Sequence, residues 1–316
     1  MNLIAFLFFF AVHWFLIFLG FLLNLLIVMI NLTWWLKGKA LQSIDIIMTS
    51  LGSVRILLLS IYLLGTLIDY FIAPVENSES HLSLIIVVMS VVFCSLWWGT
   101  VLGVFYCVKI TTYRNHLFMR LKMNISSMVP WMLIGSMVIS MISSLPCLWG
   151  TYSVKFTHID SGNTSNNDGM PYLKIQHLNL MLITFAGSIL PLLIFCVSIY
   201  LLIASVLKHT RNMNSNNSEF SKPQMEAHKS ALITMVSFLF FYLLYFVNSN
   251  LLILSLHIKK PIFTYLCSVG VSSYPSLHSI ILIASNVKLK RSIISALRAI
   301  LTIMFSIRMC KKDSLV

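Results

Sequence analysis

The stretch LIAFLFFFAVHWFLIFLGFLLNLLIVMINL, Leu3–Leu32, contains no Asp, Glu, Lys or Arg. A helix needs about 20 mostly apolar residues to cross the hydrocarbon core of a bilayer, so this run is long enough to span. Six more runs of the same kind follow: Ile44–Ile72, Leu84–Lys109, Met128–Trp149, Leu178–Leu207, Ala231–Leu256 and Ile262–Ser285. In lipid every backbone polar group needs a partner within the chain, which leaves only helices and closed barrels. Barrel strands alternate apolar and polar residues over about 10 positions. These runs are longer and do not alternate, so they read as helices. The expected fold class is an all-α membrane protein, a bundle of seven transmembrane helices forming a single domain over residues 1–316. A large soluble helical protein is the rival. With 58% hydrophobic and 10% charged residues, against about 25% charged in soluble domains, the chain has too little polar surface to coat one.

The first run follows Met1-Asn2 with no basic region before it and far exceeds the 7–15 residue core of a signal peptide. It is therefore read as the first helix, retained in the protein. The formal net charge is +13. Placed between the spans, the basic residues segregate. Lys37, Lys39, Arg114, Arg120 and Lys122 fall on one side, joined by Lys208, Arg211, Lys222 and Lys229 and by the tail from Lys288 to Lys312. Lys155, Lys174, Lys259 and Lys260 fall on the other. The positive-inside rule puts the richer side in the cytoplasm, with the N-terminus outside and the C-terminus inside. The charge is thus a topology signal, and membrane lipids with anionic headgroups are its default partners. Nothing in the chain forms an element that reads a nucleic-acid groove.

Reactive constellations are absent from the sequence. No CxxC or HExxH spacing for a metal occurs, and no cofactor motif is found. Cys94, Cys107, Cys147, Cys196 and Cys267 lie in or at the ends of spans. The second outer loop, Gly150–His177, has no cysteine, so the bridge to the third helix usual in rhodopsin-like receptors cannot form; a Cys94–Cys147 pair stays open. Catalysis in the membrane needs several reactive groups at one depth, but the acidic residues are almost all in loops, so an enzyme is not expected. Arg55, well inside the second span, must face the bundle with polar partners. Asn24 and the polar inner end of the seventh span, with His278 and Ser279, are the candidates for a structural polar hub; a transport or catalytic role is the alternative. Beyond the last span, Asn286–Ile307 sets Leu289, Ile293, Ile294, Leu297, Ile300, Leu301 and Met304 on one face, the pattern of a helix lying on the membrane surface. Cys310, beside basic residues, is a candidate for palmitoylation.

Seven helices and basic inner loops suggest a heptahelical receptor by analogy, but Asp/Glu-Arg-Tyr and Asn-Pro-x-x-Tyr are missing. The third span instead ends Phe105-Tyr106-Cys107-Val108-Lys109-Ile110 and continues through Phe118 to Leu121-Lys122. Asn24 lies in Gly20–Asn31, and Asp45 precedes Ser53-Val54-Arg55. Further on come Lys208-His209, Pro223, Glu226-Ala227-His228, Ser237-Phe238-Leu239, Tyr242 and Tyr245. The last span reads Tyr274-Pro275-Ser276-Leu277-His278-Ser279, then Leu282-Ile283, Asn286 and Lys288-Leu289. These motifs, in this order from Asn24 to Lys290, resemble the type 2 taste receptors. Ser53-Val54-Arg55 departs from the family's usual Ser-Arg pair.

The resemblance implies a plasma-membrane receptor for bitter, mostly apolar small molecules, coupled to a heterotrimeric G protein of the gustducin type. It places the agonist in the outer half of the bundle, with Trp97 near the floor and Val101, Tyr245 and Ser268 at pocket positions. Val101 stands where some members carry a polar residue. Trp97 as plain core is the competing reading, and Trp98 is expected to serve packing or face lipid. The resemblance also makes Tyr106, Lys109, Lys122, Lys208, His209 and His228 candidates for the G-protein face. A vomeronasal type 1-like pheromone receptor, or a small-solute transporter of a different class, are the alternatives. A vomeronasal receptor would more often carry a cysteine in the second outer loop, and a transporter would show inverted repeats.

The topology has a direct test. Asn163-Thr164-Ser165 is a glycosylation sequon in the second outer loop, whereas those at Asn124 and Asn216 fall in the cytoplasm. Glycosidase treatment is expected to shift the gel band of the wild type and not of Asn163→Gln. A shift that survives the substitution overturns the assignment.

Overall fold

The computed structural model describes residues 3–71, 78–111, 116–150, 152–156, 171–175, 177–216, 222–258 and 261–295, together with 298 and 302. Among the described residues, seven helices are long and apolar enough to cross a membrane. They are α1 (Leu3–Leu36), α2 (Ser43–Phe71), α3 (Ser78–Ile110), α4 (His116–Ser144), α6 (His177–Asn216), α7 (Lys222–Ile258) and α8 (Pro261–Ser285). A single turn, α5 (Cys147–Gly150), follows α4. The protein is a multi-pass membrane protein. One feature goes beyond the reading of the sequence. The loop between α5 and α6 holds an antiparallel pair, β1 (Tyr152–Phe156) and β2 (Pro171–Ile175), with Val154 opposite Leu173. Helices α6 and α7 run past their apolar spans, to Asn216 and from Lys222. Asn163 and Cys310 lie outside the described residues. Cys94 and Cys147 are both buried and are not joined by a disulfide, so the pair left open above does not form.

Helix ends follow local chemistry. Gly38, at φ 72°, takes the left-handed conformation that terminates α1, and its N–H donates to the Trp35 carbonyl at 2.9 Å. The carbonyl of Gln42 accepts from Ile46 N–H at 3.1 Å, while its own N–H donates to Asp45 Oδ2 at 3.2 Å. That is the carboxylate half of a capping box at the start of α2. After α8, Asn286 Oδ1 accepts from the N–H groups of Lys288 and Leu289 at 3.0 and 3.2 Å. It thereby starts a second helix from residue 287, described through 295.

The bundle is organised around α3, which packs against α2, α4, α6 and α7. Gly99 and Gly103, one turn apart, let this helix come close to aromatic neighbours. A Cβ on Gly99 would fall on the Phe238 ring, and one on Gly103 on the Phe195 ring. Those two rings pack with centroids 4.5 Å apart, joining α6 to α7 beneath α3. Proline shapes α6. Pro191 has no N–H to offer the preceding turn, and two carbonyls of that region find partners outside the helix. Tyr242 Oη donates to Ser188 O at 2.8 Å, and Thr100 Oγ1 to Pro191 O at 3.2 Å.

Arg55 is wholly buried in the middle of this apolar bundle. Its Nη1 donates to Ser279 Oγ at 3.4 Å. Ser279 donates to Asn24 Oδ1 at 2.9 Å, and Asn24 Nδ2 donates to Gly20 O at 2.8 Å. One chain of polar groups therefore ties α2 to α8 and α1. The guanidinium also lies 5.0 Å from the centre of the Tyr274 ring, a cation–π contact that gains strength away from water. Tyr274 stacks parallel to His278 at 6.5 Å, and His278 meets Phe238 edge-on at 4.9 Å. His278 belongs to this cluster through its ring faces: neither ring nitrogen has a hydrogen-bond partner among the described residues.

Two outcomes follow for stability. Arg55→Ala removes the cation–π contact and leaves buried polar groups short of a partner, at about 1–3 kcal/mol each. It is expected to lower thermal stability and surface level, and to weaken responses to all agonists alike. Loss confined to one agonist at normal surface level would contradict the hub. Gly103→Leu overpacks the Phe195 contact and is expected to cost about 1–3 kcal/mol, read as a lower melting temperature in detergent. An unchanged melting temperature would mean that α3 and α6 do not approach this closely.

Candidate functional site

The two ends of the bundle differ in chemistry. At one end α3 finishes and α4 begins with basic residues. Tyr106 is half-buried, Lys109 is exposed, and Lys122 Nζ donates to the Thr111 carbonyl at 2.9 Å. That bond ties the start of α4 to the end of α3. Lys208 and His209 extend α6 past its span, and His228 precedes the α7 span, so all six G-protein candidates belong to this basic end. The side chains of Lys208, His209 and His228 are outside the description. Ser230 Oγ donates to the Ser285 carbonyl at 2.7 Å, joining the basic ends of α7 and α8.

A further polar cluster closes the same end around α1 and α2. Lys288 Nζ lies 2.9 Å from Asp45 Oδ2 and 3.1 Å from Asn31 Oδ1, and sits 4.6 Å from the centre of the Trp34 ring. Asn31 Nδ2 in turn donates to Thr49 Oγ1 at 3.0 Å. This arrangement pins the residues after α8 against both helices. Its parts, Asp45 and Lys288, were legible as motif residues, but their pairing across 243 positions was not.

The opposite end holds a cavity of about 400 Å³, within the range of small-molecule sites. Helix α2 contributes Tyr62, Leu64, Gly65 and Thr66, and α3 contributes Leu84 and Val88. Across from them stand His13 of α1, Leu252 of α7, and Ser268 and Ser272 of α8. Leu64 to Thr66 are close to the end of the α2 span, and Leu84 is next to the start of the α3 span, which sets the cavity near that membrane face. Its walls are mostly hydrocarbon. One polar spot is built across two helices: His13 Nδ1 lies 3.2 Å from Ser272 Oγ, and the ring also meets the backbone of Ser268.

Of the four pocket positions implied by the resemblance, Ser268 lines this cavity. Trp97, Val101 and Tyr245 do not. Val101 and Tyr245 are buried in the main core, Tyr245 with its ring 5.4 Å from Tyr274. Trp97 is half-buried against that core, and its Nε1 is buried without a hydrogen-bond partner among the described residues. Trp98 differs: its Nε1 donates to the Leu133 carbonyl of α4 at 3.1 Å, so it serves helix packing. His13 and Ser272 were missed by motif reading. Their only signal was a polar residue within an apolar run, which does not say which helix it faces.

The chain matches the profile of the family described as taste receptor protein (TAS2R) over residues 1–301. It is 33% identical over 276 residues to taste receptor type 2 member 4 of Pan troglodytes, covering 86% of this chain and 91% of the relative. It is 35% identical over 281 residues to taste receptor type 2 member 1 of Chlorocebus aethiops, with 87% and 90% covered. Against taste receptor type 2 member 4 of Homo sapiens, identity is 32% over 276 residues, with 86% and 91% covered. With a profile spanning nearly the whole chain, and relatives that share its length, this protein belongs to the TAS2R taste receptor family.

Proposed function

We propose that this chain is a G-protein-coupled receptor of the plasma membrane that detects bitter small molecules and activates a heterotrimeric G protein of the gustducin type. Membership of the family carries the proposal. The division of the bundle supports it: a largely apolar cavity at one end and basic, partly polar helix ends at the other. The cavity end faces outside in this reading, and the basic end faces the cytoplasm.

An agonist changes the receptor only through a difference in affinity between two arrangements of the helices. The cavity is lined by α1, α2, α3, α7 and α8, so its occupant touches most of the bundle at once. Trp97 is the deeper element. From Val88 to Trp97 is nine residues of helix, about 14 Å along the axis at 1.5 Å per residue. Its indole N–H, without a partner among the described residues, offers a donor to an agonist that reaches that depth, and Val101 and Tyr245 belong to the same core. At the other end Tyr106, Lys109, Lys122, Lys208, His209 and His228 would meet the G protein when α3, α6 and α7 move apart.

Expression in cells supplied with a gustducin-type α subunit is expected to give calcium signals to members of a bitter-compound panel, absent from cells without the receptor. A surface-expressed receptor that answers none of a broad panel would overturn the reading. For a responding agonist, Trp97→Ala is expected to cost about 2 kcal/mol, roughly a thirtyfold loss of potency. Trp98→Ala, which loses a bond to α4, is expected to reduce surface level more than potency. Cells matched for surface receptor separate the two. Equal potency loss in both variants would remove Trp97 from the site.

A further inference from the structure

The cavity near the face opposite the basic end has a side wall formed by α2 and α3. That wall carries Leu64 of α2, 58% exposed, and Leu84 of α3, 47% exposed, both of which also line the cavity. Both lie inside the spans Ser43–Leu67 and Ser83–Ile110. The surface they show therefore faces acyl chains. Gly65, beside Leu64, thins the wall further, because a Cβ there would meet no heavy atom within 4 Å. The interior has a matching character. Among the described residues no Asp, Glu, Lys or Arg lines it, so an ionised guest would find no countercharge among them, an unfavourable placement. The polar spot is the His13–Ser272 pair, 3.2 Å apart, contributed by α1 and α8, on helices other than the leucine wall.

We infer that this cavity takes uncharged lipophilic small molecules that carry one hydrogen-bonding group, and that they reach it from the bilayer through the gap between α2 and α3. The hydrogen-bonding end meets His13 and Ser272, and the apolar body lies along Leu64, Leu84 and Val88. Lipid concentrates such molecules before they bind, for the same reason that it excludes charged ones. The inference rests on reading the cavity as the ligand site, and names the class of ligand and its route.

Cysteine labelling tests the route without any signalling readout. Gly65→Cys, in the full-length receptor in phosphatidylcholine nanodiscs, is treated with pyrene maleimide, which partitions into lipid, or with a charged trimethylammonium methanethiosulfonate. Each rate is corrected for wild-type labelling and divided by that reagent's rate at Lys39→Cys on the water-facing surface. Pyrene maleimide is expected to be favoured by about tenfold, since a cation is costly to move into hydrocarbon. Leu84→Trp, which fills the gap, is expected to remove that preference. Equal or faster reaction of the charged reagent would show a cavity open to water and overturn the route. So would no labelling by either reagent in a variant with a wild-type melting temperature.

Menthol, an apolar body with one hydroxyl, tests the class. It is expected to protect Gly65→Cys from pyrene maleimide about tenfold better than p-menthane, which lacks the hydroxyl, the value of one hydrogen bond. His13→Phe is expected to erase that difference. Equal protection by both compounds, or by neither, would overturn the ligand class. A receptor that answers no bitter compound still passes or fails these labelling tests, so the two readings fail separately.

Discussion

A guanidinium with no exposure sits at the centre of this bundle, and its contacts draw three helices together. An intramembrane arginine is costly unless it finds partners within the protein. Here those partners come from different helices. Ser279 and Tyr274 belong to α8, and Asn24, one bond further, to α1. None of them is acidic. Arg55 itself donates to the Ser279 hydroxyl and lies over the Tyr274 ring, and the Asn24 amide oxygen accepts from Ser279 in turn, a soft set of contacts that links α1, α2 and α8 without an ion pair.

From that point the packing spreads as a series of aromatic rings. Tyr274 touches both Arg55 and His278, His278 meets Phe238, and Phe238 packs on Phe195 and Tyr242. Phe238 and Phe195 in turn press on the glycines of α3. The hub on one side of the bundle is thus continuous with the α6–α7 side, where Tyr242 and Thr100 take up carbonyls near Pro191. Interiors this close-packed do not deform smoothly, so a displacement of one ring has to be met by its neighbours. A guest at the cavity end and a partner at the basic end, as proposed above, would sense each other through this common core.

The two ends are built by opposite means. The cavity is an interval between apolar helices, bordered by leucines and a glycine and given direction by the one histidine–serine pair. The basic end is a set of fastenings, Lys122 to Thr111, Ser230 to Ser285, and Lys288 to Asp45 and Asn31. Most of these close onto backbone carbonyls or uncharged groups, so separating the helices there exposes polar atoms that water and headgroups can satisfy.

The seven helices were legible from composition alone, because a bilayer imposes one requirement on every span: enough apolar length, with all backbone groups paired within the helix. The basic bias of alternate loops indicated which ends lie together, because Lys and Arg collect on one side of a membrane. Arg55 was readable as a buried charge in need of partners, since nothing else in lipid can hold one. The β1–β2 pair was not readable, because short strands in a polar loop carry too weak a pattern. Nor was the cavity. His13 and Ser272 stand 259 positions apart, and whether a polar residue in an apolar run faces lipid, a neighbour or a void depends on how each helix is rotated. The sequence by itself determined that there would be seven helices, which ends are basic and which buried charge must be satisfied. Only the tertiary structure decided which helices supply the partners, where Trp97 and Ser268 separate, and where a space is left, because rotation and crossing are set by side chains of several helices packing at once.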